Sequence, residues 1–194
     1  MIEVACIGAS WGGLHAVSTV LSSLCREDLR AAVVIAQHRS ADSLDGALPD
    51  LLGGVTAVAV RDASDKEPIE PGTIYVAPPD YHLLVEGRHF ALTTDERVQY
   101  ARPSIDVLFE TAAEAYGPAT LGVVLTGANA DGAAGLRAIR KRGGMTVVQD
   151  PATAERAAMP AAALAATAVD AVLPLEEIGP FLVRYCCATR EPVG

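Results

Sequence analysis

Residues 2–13 read "IEVACIGASWGG": a short apolar run interrupted only by Glu3, then small residues, with one serine at position 10 and two glycines at 12 and 13. Such a run closing in glycines predicts a strand, a tight turn and a helix that starts near residue 13. Two chemistries use a turn of this kind. One is a glycine-rich loop that cradles phosphate, the other a reversal that presents Ser10 as a nucleophile. A dinucleotide fingerprint needs G-x-G-x-x-G, whereas "GASWGG" (8–13) places its glycines at other offsets, and no Walker lysine follows. "GASWG" does fit G-x-S-x-G, in which a serine sits on a strand-to-helix turn. The unpaired N–H groups at the helix start can then face a developing oxyanion.

Outward from this stretch, apolar runs alternate with helical patterns. Strands are predicted at 2–7, 32–37, 56–60, 73–77, 121–126, 145–149 and 169–173, and helices at 13–25, 104–116, 131–142, 157–166 and 175–186. Ser104 fits an N-cap, and Gly117-Pro118 and Gly143-Gly144 fit helix stops. Runs such as "AVVIAQ" (32–37) lack polar alternation, as strands covered on both faces do. The expected fold class is therefore α/β, a doubly wound, mostly parallel sheet flanked by helices. "HLLVEGRHFALT" (82–93) alternates about a Glu-Gly turn and predicts an antiparallel β-hairpin, which would make part of the sheet antiparallel. With 194 residues and no repeat or low-complexity linker, the chain reads as a single domain over 1–194.

Fifteen Lys and Arg against 24 Asp and Glu give a net charge of −9, which argues against nucleic acid as a partner. The basic cluster Arg137, Arg140, Lys141 and Arg142 fits the exposed face and last turn of a helix. No stretch approaches the roughly 18 apolar residues of a membrane span, and no basic leader precedes the first strand, so no membrane insertion and a cytoplasmic location are expected. The four cysteines, Cys6, Cys25, Cys186 and Cys187, form neither a CxxC pair nor a Cys/His ligand spacing. They are expected to be free thiols, with no metal site.

Ligands of an open α/β sheet gather beyond the C-terminal ends of its strands. Three polar residues fall there: Ser10 after the first strand, His38 ending "AVVIAQH", and Asp131 in "LTGANADGAAG". They are the residue types of a nucleophile, a general base and an orienting carboxylate. Each also has a structural alternative: Ser10 as a helix cap, His38 as partner of a buried backbone group, Asp131 as the N-cap of its helix. His15 lies within the first helix, and His82 and His89 are expected at the surface of the hairpin. The order Ser, His, Asp differs from that of α/β-hydrolases, so a triad here belongs to another fold.

With these residues in view, the chain resembles the catalytic domain of the chemotaxis receptor methylesterases, the CheB family. "IGASWGG" is similar to I-G-A-S-T-G-G, "AQHRS" to Q-H-M-P, and "RPSIDVLFETAA" to R-P-S-V-D-x-L-F. "GVVLTGANADGAAGL" resembles G-V-I-L-T-G-M-G-x-D-G-A-x-G, and "QDPATAERAAMP" keeps the ends of Q-x-E-x-S-x-x-x-x-G-M-P. The resemblance implies Ser10, His38 and Asp131 as catalytic triad, with the N–H of Trp11 and a second donor near Ala128 as oxyanion hole and Gly12 and Arg39 in the pocket. It implies hydrolysis of glutamyl γ-methyl esters on the cytoplasmic helices of methyl-accepting chemotaxis receptors, and in some members deamidation of receptor glutamines, with no cofactor. Family members usually carry an N-terminal receiver domain, whereas this sequence begins at the first catalytic strand, as an excised domain or a stand-alone enzyme would; a separate receiver domain or signalling kinase is a further implied partner. Four departures stand out: Trp11 for a small hydroxyl residue, Arg39-Ser40 for Met-Pro, Ala128-Asn129 for Met-Gly and Pro151 for Glu. They bear on rate and substrate, with Arg39 expected to steer acidic helices. A methylesterase-like module that binds receptors or kinases without turnover is the alternative they favour.

Overall fold

In the computed structural model, residues 1–188 apart from 27, 41 and 45 are described; 189–194, the end of the expected domain, lie outside the described residues. Strand β1 (Val4–Ala9) is buried along its whole length and lies at the centre of a seven-stranded sheet. The others are β2 (Ala32–Gln37), β3 (Val60–Asp62), β4 (Ile74–Val76), β7 (Thr120–Val124), β8 (Met145–Gln149) and β9 (Ala171–Leu173), in the order β3-β4-β2-β1-β7-β8-β9. Period-two alternation splits β1 between two cores. Ala5, Ile7 and Ala9 join the cluster under helices α1 (Gly13–Leu21), α2 (Ala47–Gly53) and α6 (Leu175–Cys186). Val4 and Cys6 join the cluster under α3 (Ile105–Tyr116), α4 (Ala133–Lys141) and α5 (Ala158–Ala166). Helices on both faces explain why these strands carry no polar alternation.

The doubly wound fold expected from the sequence is present, with two corrections of detail. Every pairing in the seven-stranded sheet is parallel. The hairpin, β5 (His82–Glu86) and β6 (His89–Thr93), forms a sheet of its own. Its outer backbone groups are engaged elsewhere: the Val85 N–H donates to Thr111 Oγ1 on α3, and β6 bonds residues 66–67 through Lys66 N–H to Phe90 O and Phe90 N–H to Glu67 O. Edges covered in this way leave nothing to join the main sheet.

The second correction lies at 47–62. The predicted strand at 56–60 begins only at Val60, and α2 precedes it where the sequence reading placed no helix. Pro49 and Gly53-Gly54 resemble loop punctuation, but Pro49 falls in the first turn of α2, where a missing N–H breaks no helical bond.

Candidate active site

The sheet reverses its direction of growth at β1: the chain moves outward through β2 and β4 on one side, then returns to build β7, β8 and β9 on the other. Ser10, His38 and Asp131 follow β1, β2 and β7, the three strands that flank this switch point. Register fixes their level. Ala9 is opposite Gln37, the His38 N–H donates to Ala9 O at 3.0 Å, and the Ser10 N–H donates to Thr126 O at 3.0 Å.

Gly12, at φ +75°, makes the left-handed step that starts α1; it is the N-cap and makes no side-chain cap bond. Ser10 is therefore not a helix cap, and its hydroxyl faces His38 instead. Ser10 Oγ lies 3.2 Å from His38 Nδ1, and His38 Nε2 lies 2.7 Å from Asp131 Oδ2. Only this ring orientation turns a nitrogen to both partners. With Nε2–H donating to Asp131, the unprotonated Nδ1 accepts the serine proton. The ring is the reverse of the usual serine-protease arrangement, in which Nε2 faces the serine.

Asp131 is fully buried, and it is not the cap of α4, whose N-cap is Gly132. Its carboxylate turns to the start of α3. Oδ2 accepts the Ile105 N–H at 2.7 Å as well as His38, and Oδ1 accepts Ser104 Oγ–H and Asp106 N–H, each at 2.9 Å, and Gly132 N–H at 3.1 Å. Burial alone would raise this carboxyl; the His38 bond and the first-turn N–H groups of α3 outweigh it and hold the group below the ordinary carboxylate range. Asp131 is thus kept ionised against His38.

Asp106 makes the reciprocal contact. Its Oδ1 accepts the Gly132 and Gly135 N–H groups at the start of α4, at 2.9 and 2.7 Å, and Oδ2 accepts Gln99 Nε2 at 3.0 Å. Burial pushes its carboxyl up to about 6, helped by the Asp131 charge and opposed by the glycine N–H groups. Each helix start therefore holds the carboxylate of the other. His82 completes this frame and corrects the expectation that it lies at the hairpin surface: it is 1% exposed. Its Nδ1 accepts the Ser104 N–H at 3.2 Å and its Nε2 donates to Glu96 O at 3.0 Å. The first residue of β5 points at α3, not outward, because the hairpin packs on that helix. Sequence reasoning missed Asp106 and His82 as site residues and took Ser104 only as a cap. The "RPSID" stretch carried the signal, since a capped helix start beside a carboxylate is an anion site.

The mouth of the site is built by the loops after β7 and β8. Gly127 passes so close to the serine that a β-carbon there would sit 3.0 Å from Ser10 Cβ and 2.5 Å from Met159 Sδ. Thr126 Oγ1–H donates to Trp11 O and the same oxygen accepts the Arg156 N–H. Trp11 is 58% exposed; its indole N–H donates to Glu155 at 2.8 Å and Arg156 lies over the ring at 5.2 Å. Among the described residues no acceptor bonds the N–H of Trp11 or of Ala128, whereas Gly127 spends its own on Arg156 O.

Beside His38 opens a cleft of about 450 Å³ whose wall includes Arg39, Arg97, Tyr100, Arg102 and Asn129. Arg39 borders it but does not stand out to steer a partner. Its side chain is 9% exposed, and Nη2 donates to Asp62 at 3.3 Å and to Ala77 O at 2.8 Å. The strand end turns it toward the ends of β3 and β4, where Asp62 balances its charge and Ala77 O accepts its N–H.

Comparison with known proteins bears on this arrangement. A model of the CheB methylesterase family matches residues 5–182. A Leptospira interrogans chain, whose name assigns it provisionally as a protein-glutamate methylesterase/protein-glutamine glutaminase, is 48% identical over 183 residues, covering 94% of each chain. Protein-glutamate methylesterase/protein-glutamine glutaminase 1 of Cupriavidus pinatubonensis is 41% identical over 189 residues, and the chain spans 55% of its length. The crystal structure of the Thermotoga maritima CheB methylesterase catalytic domain superposes with a TM-score of 0.90 at 28% identity, covering 95% of this chain and 98% of that one.

Proposed function

Because this chain belongs to the CheB methylesterase family, we propose that it is a protein-glutamate methylesterase in which Ser10, His38 and Asp131 carry the reaction. The unbroken line from Ser10 Oγ through the imidazole to Asp131, at 3.2 and 2.7 Å, is the observation that carries this assignment. Ser10 Oγ attacks the γ-ester carbonyl of a methylated glutamate as His38 Nδ1 takes its proton. The N–H of Trp11, with that of Ala128 as second donor, receives the oxyanion. Collapse expels methanol, protonated by His38, and leaves an acyl-serine. Water activated by the same nitrogen then releases glutamate. A glutamine side chain enters the same sequence with ammonia as leaving group, which is the second activity in the relatives' names. Asp131, held ionised, stabilises the imidazolium that forms twice in each turnover.

The substrates proposed are methylated glutamates on the cytoplasmic helices of chemoreceptors, with the chain working as one catalytic unit in the cytoplasm and a receiver domain or signalling kinase as further partner. Among the described residues no helix is long and apolar enough to cross a membrane. The deciding experiment is methanol release from a methylated receptor fragment. Ser10→Ala is expected to lower kcat by about 10⁴- to 10⁶-fold with the circular dichroism spectrum intact. Hydrolysis persisting near the wild-type rate would overturn the serine mechanism.

A further inference from the structure

The cleft beside His38 has a charge unlike that of the molecule around it. Among the described residues its wall carries Arg39, Arg97 and Arg102 against Asp42, in a chain of net charge −9. The three arginines are not equivalent. Arg39 is buried on Asp62. Arg102 is held by Asp80 through Nε at 3.1 Å and Nη2 at 2.7 Å, and by the carbonyls of Thr94 and Asp95 through Nη1, so it builds the loop. Arg97 reaches the same Asp80 oxygen only at 3.5 Å and is 55% exposed. One carboxylate thus pairs with two guanidinium groups, Arg102 closely and Arg97 loosely, which leaves donors of the half-exposed Arg97 for a second carboxylate.

Next to it stands a ring that no folding force explains. Tyr100 is 97% exposed, at φ +66°, and follows Gln99 at φ +49° in a two-residue turn closed by mutual Val98 and Ala101 hydrogen bonds. Such turns favour Asn and Gly, so Gln and Tyr here are strained. The turn is tied down by Gln99 Nε2 to Asp106, the carboxylate that holds the start of α4. The backbone that carries Arg97 and Tyr100 is thereby anchored to the frame that holds Asp131.

On the premise that the site is a protein-glutamate methylesterase, we infer that this wall is a substrate subsite: Arg97 binds an unmodified carboxylate that lies beside the methyl ester on the substrate, and the Tyr100 ring supports its aliphatic stem. A helix brings such a neighbour to the required face three or four residues from the ester. A half-exposed guanidinium at this place favours substrates that carry the carboxylate over ones neutralised there.

Two alanine-rich helical peptides test this, each with one glutamate γ-methyl ester: one carries glutamate at the positions three and four residues away, the other glutamine. Wild type is expected to prefer the acidic peptide about three- to tenfold in kcat/KM, through KM with kcat alike, and the preference is expected to shrink in added salt. Arg97→Gln should bring the ratio to near one, and Tyr100→Ala should raise KM for both peptides together. A wild-type ratio of one, or a preference that survives Arg97→Gln, overturns the subsite. Binding of the same peptides to Ser10→Ala and to Ser10→Ala/Arg97→Gln, read by fluorescence anisotropy, separates the two ideas. Arg97-dependent preference in binding with no hydrolysis by wild type sinks the esterase and keeps the subsite, whereas hydrolysis without that preference sinks the subsite alone.

Discussion

Asp131 shows how much one carboxylate can hold. It receives five hydrogen bonds, from His38, Ser104, the N–H groups of Ile105 and Asp106, and Gly132. Asparagine at this position keeps one oxygen and turns an NH₂ group toward donors that need an acceptor. Asp131→Asn is expected to lower kcat by on the order of 10³- to 10⁴-fold, since the imidazolium loses its counter-charge and the ring its preferred tautomer. It is also expected to cost about 1–3 kcal/mol of stability, from the buried N–H groups left without an acceptor. Methanol release and urea unfolding measure the two separately; a variant that keeps most of its kcat would show that Asp131 joins the two helix starts without serving the reaction. The three positions at strand ends were legible because topology alone brings them together. What was not legible was direction. Nothing in the sequence says that the hydroxyl of Ser104 serves Asp131 as well as its helix, or that His82, at the first position of a hairpin, faces inward. Those facts depend on the packing of β5 against α3, a long-range contact without local signal.

At the scale of elements, loop closure around the nucleophile depends on glycine where a side chain has no room. Gly127→Ala drives a methyl group into Met159 and Ser10, the first held by its N–H bond to Gly127 O and the second by its N–H bond to Thr126 O. A loss of about 1–3 kcal/mol is expected, together with reduced turnover. Gly53→Ala is the matched control: a β-carbon there meets nothing within 4 Å, and the position lies in α2. It should raise stability by up to about 1 kcal/mol through helix propensity alone. Scanning calorimetry of the two variants reads both shifts, and equal losses would refute the steric account. The same elements mark the limits of pattern reading. Buried strands and capped helices announce themselves by apolar runs and by Ser104, whereas α2 is hidden by a proline and two glycines whose positions at its ends only the structure reveals.

Across the whole molecule, the two carboxylates between α3 and α4 couple stability to pH in opposite senses. Asp131 is held below its ordinary range, so its contribution is present at neutral pH and is lost as pH falls through the folded value. Asp106 is pushed up to about 6 from an ordinary value of 3.8. Between those values the folded protein binds more protons than the unfolded chain, so this contribution is complete below about 4 and is lost as pH rises through about 6. Asp106→Asn removes the second effect while preserving the contacts: its oxygen still accepts the Gly132 and Gly135 N–H groups, and its amide can donate to Gln99 once that side chain flips. The unfolding free energy of wild type relative to the variant should therefore fall by on the order of 1–2 kcal/mol between pH 4 and 7. Urea titrations at each half unit of pH would trace the difference. Parallel curves would mean that Asp106 is ionised throughout this range, and that the facing starts of α3 and α4 hold both carboxylates charged at once.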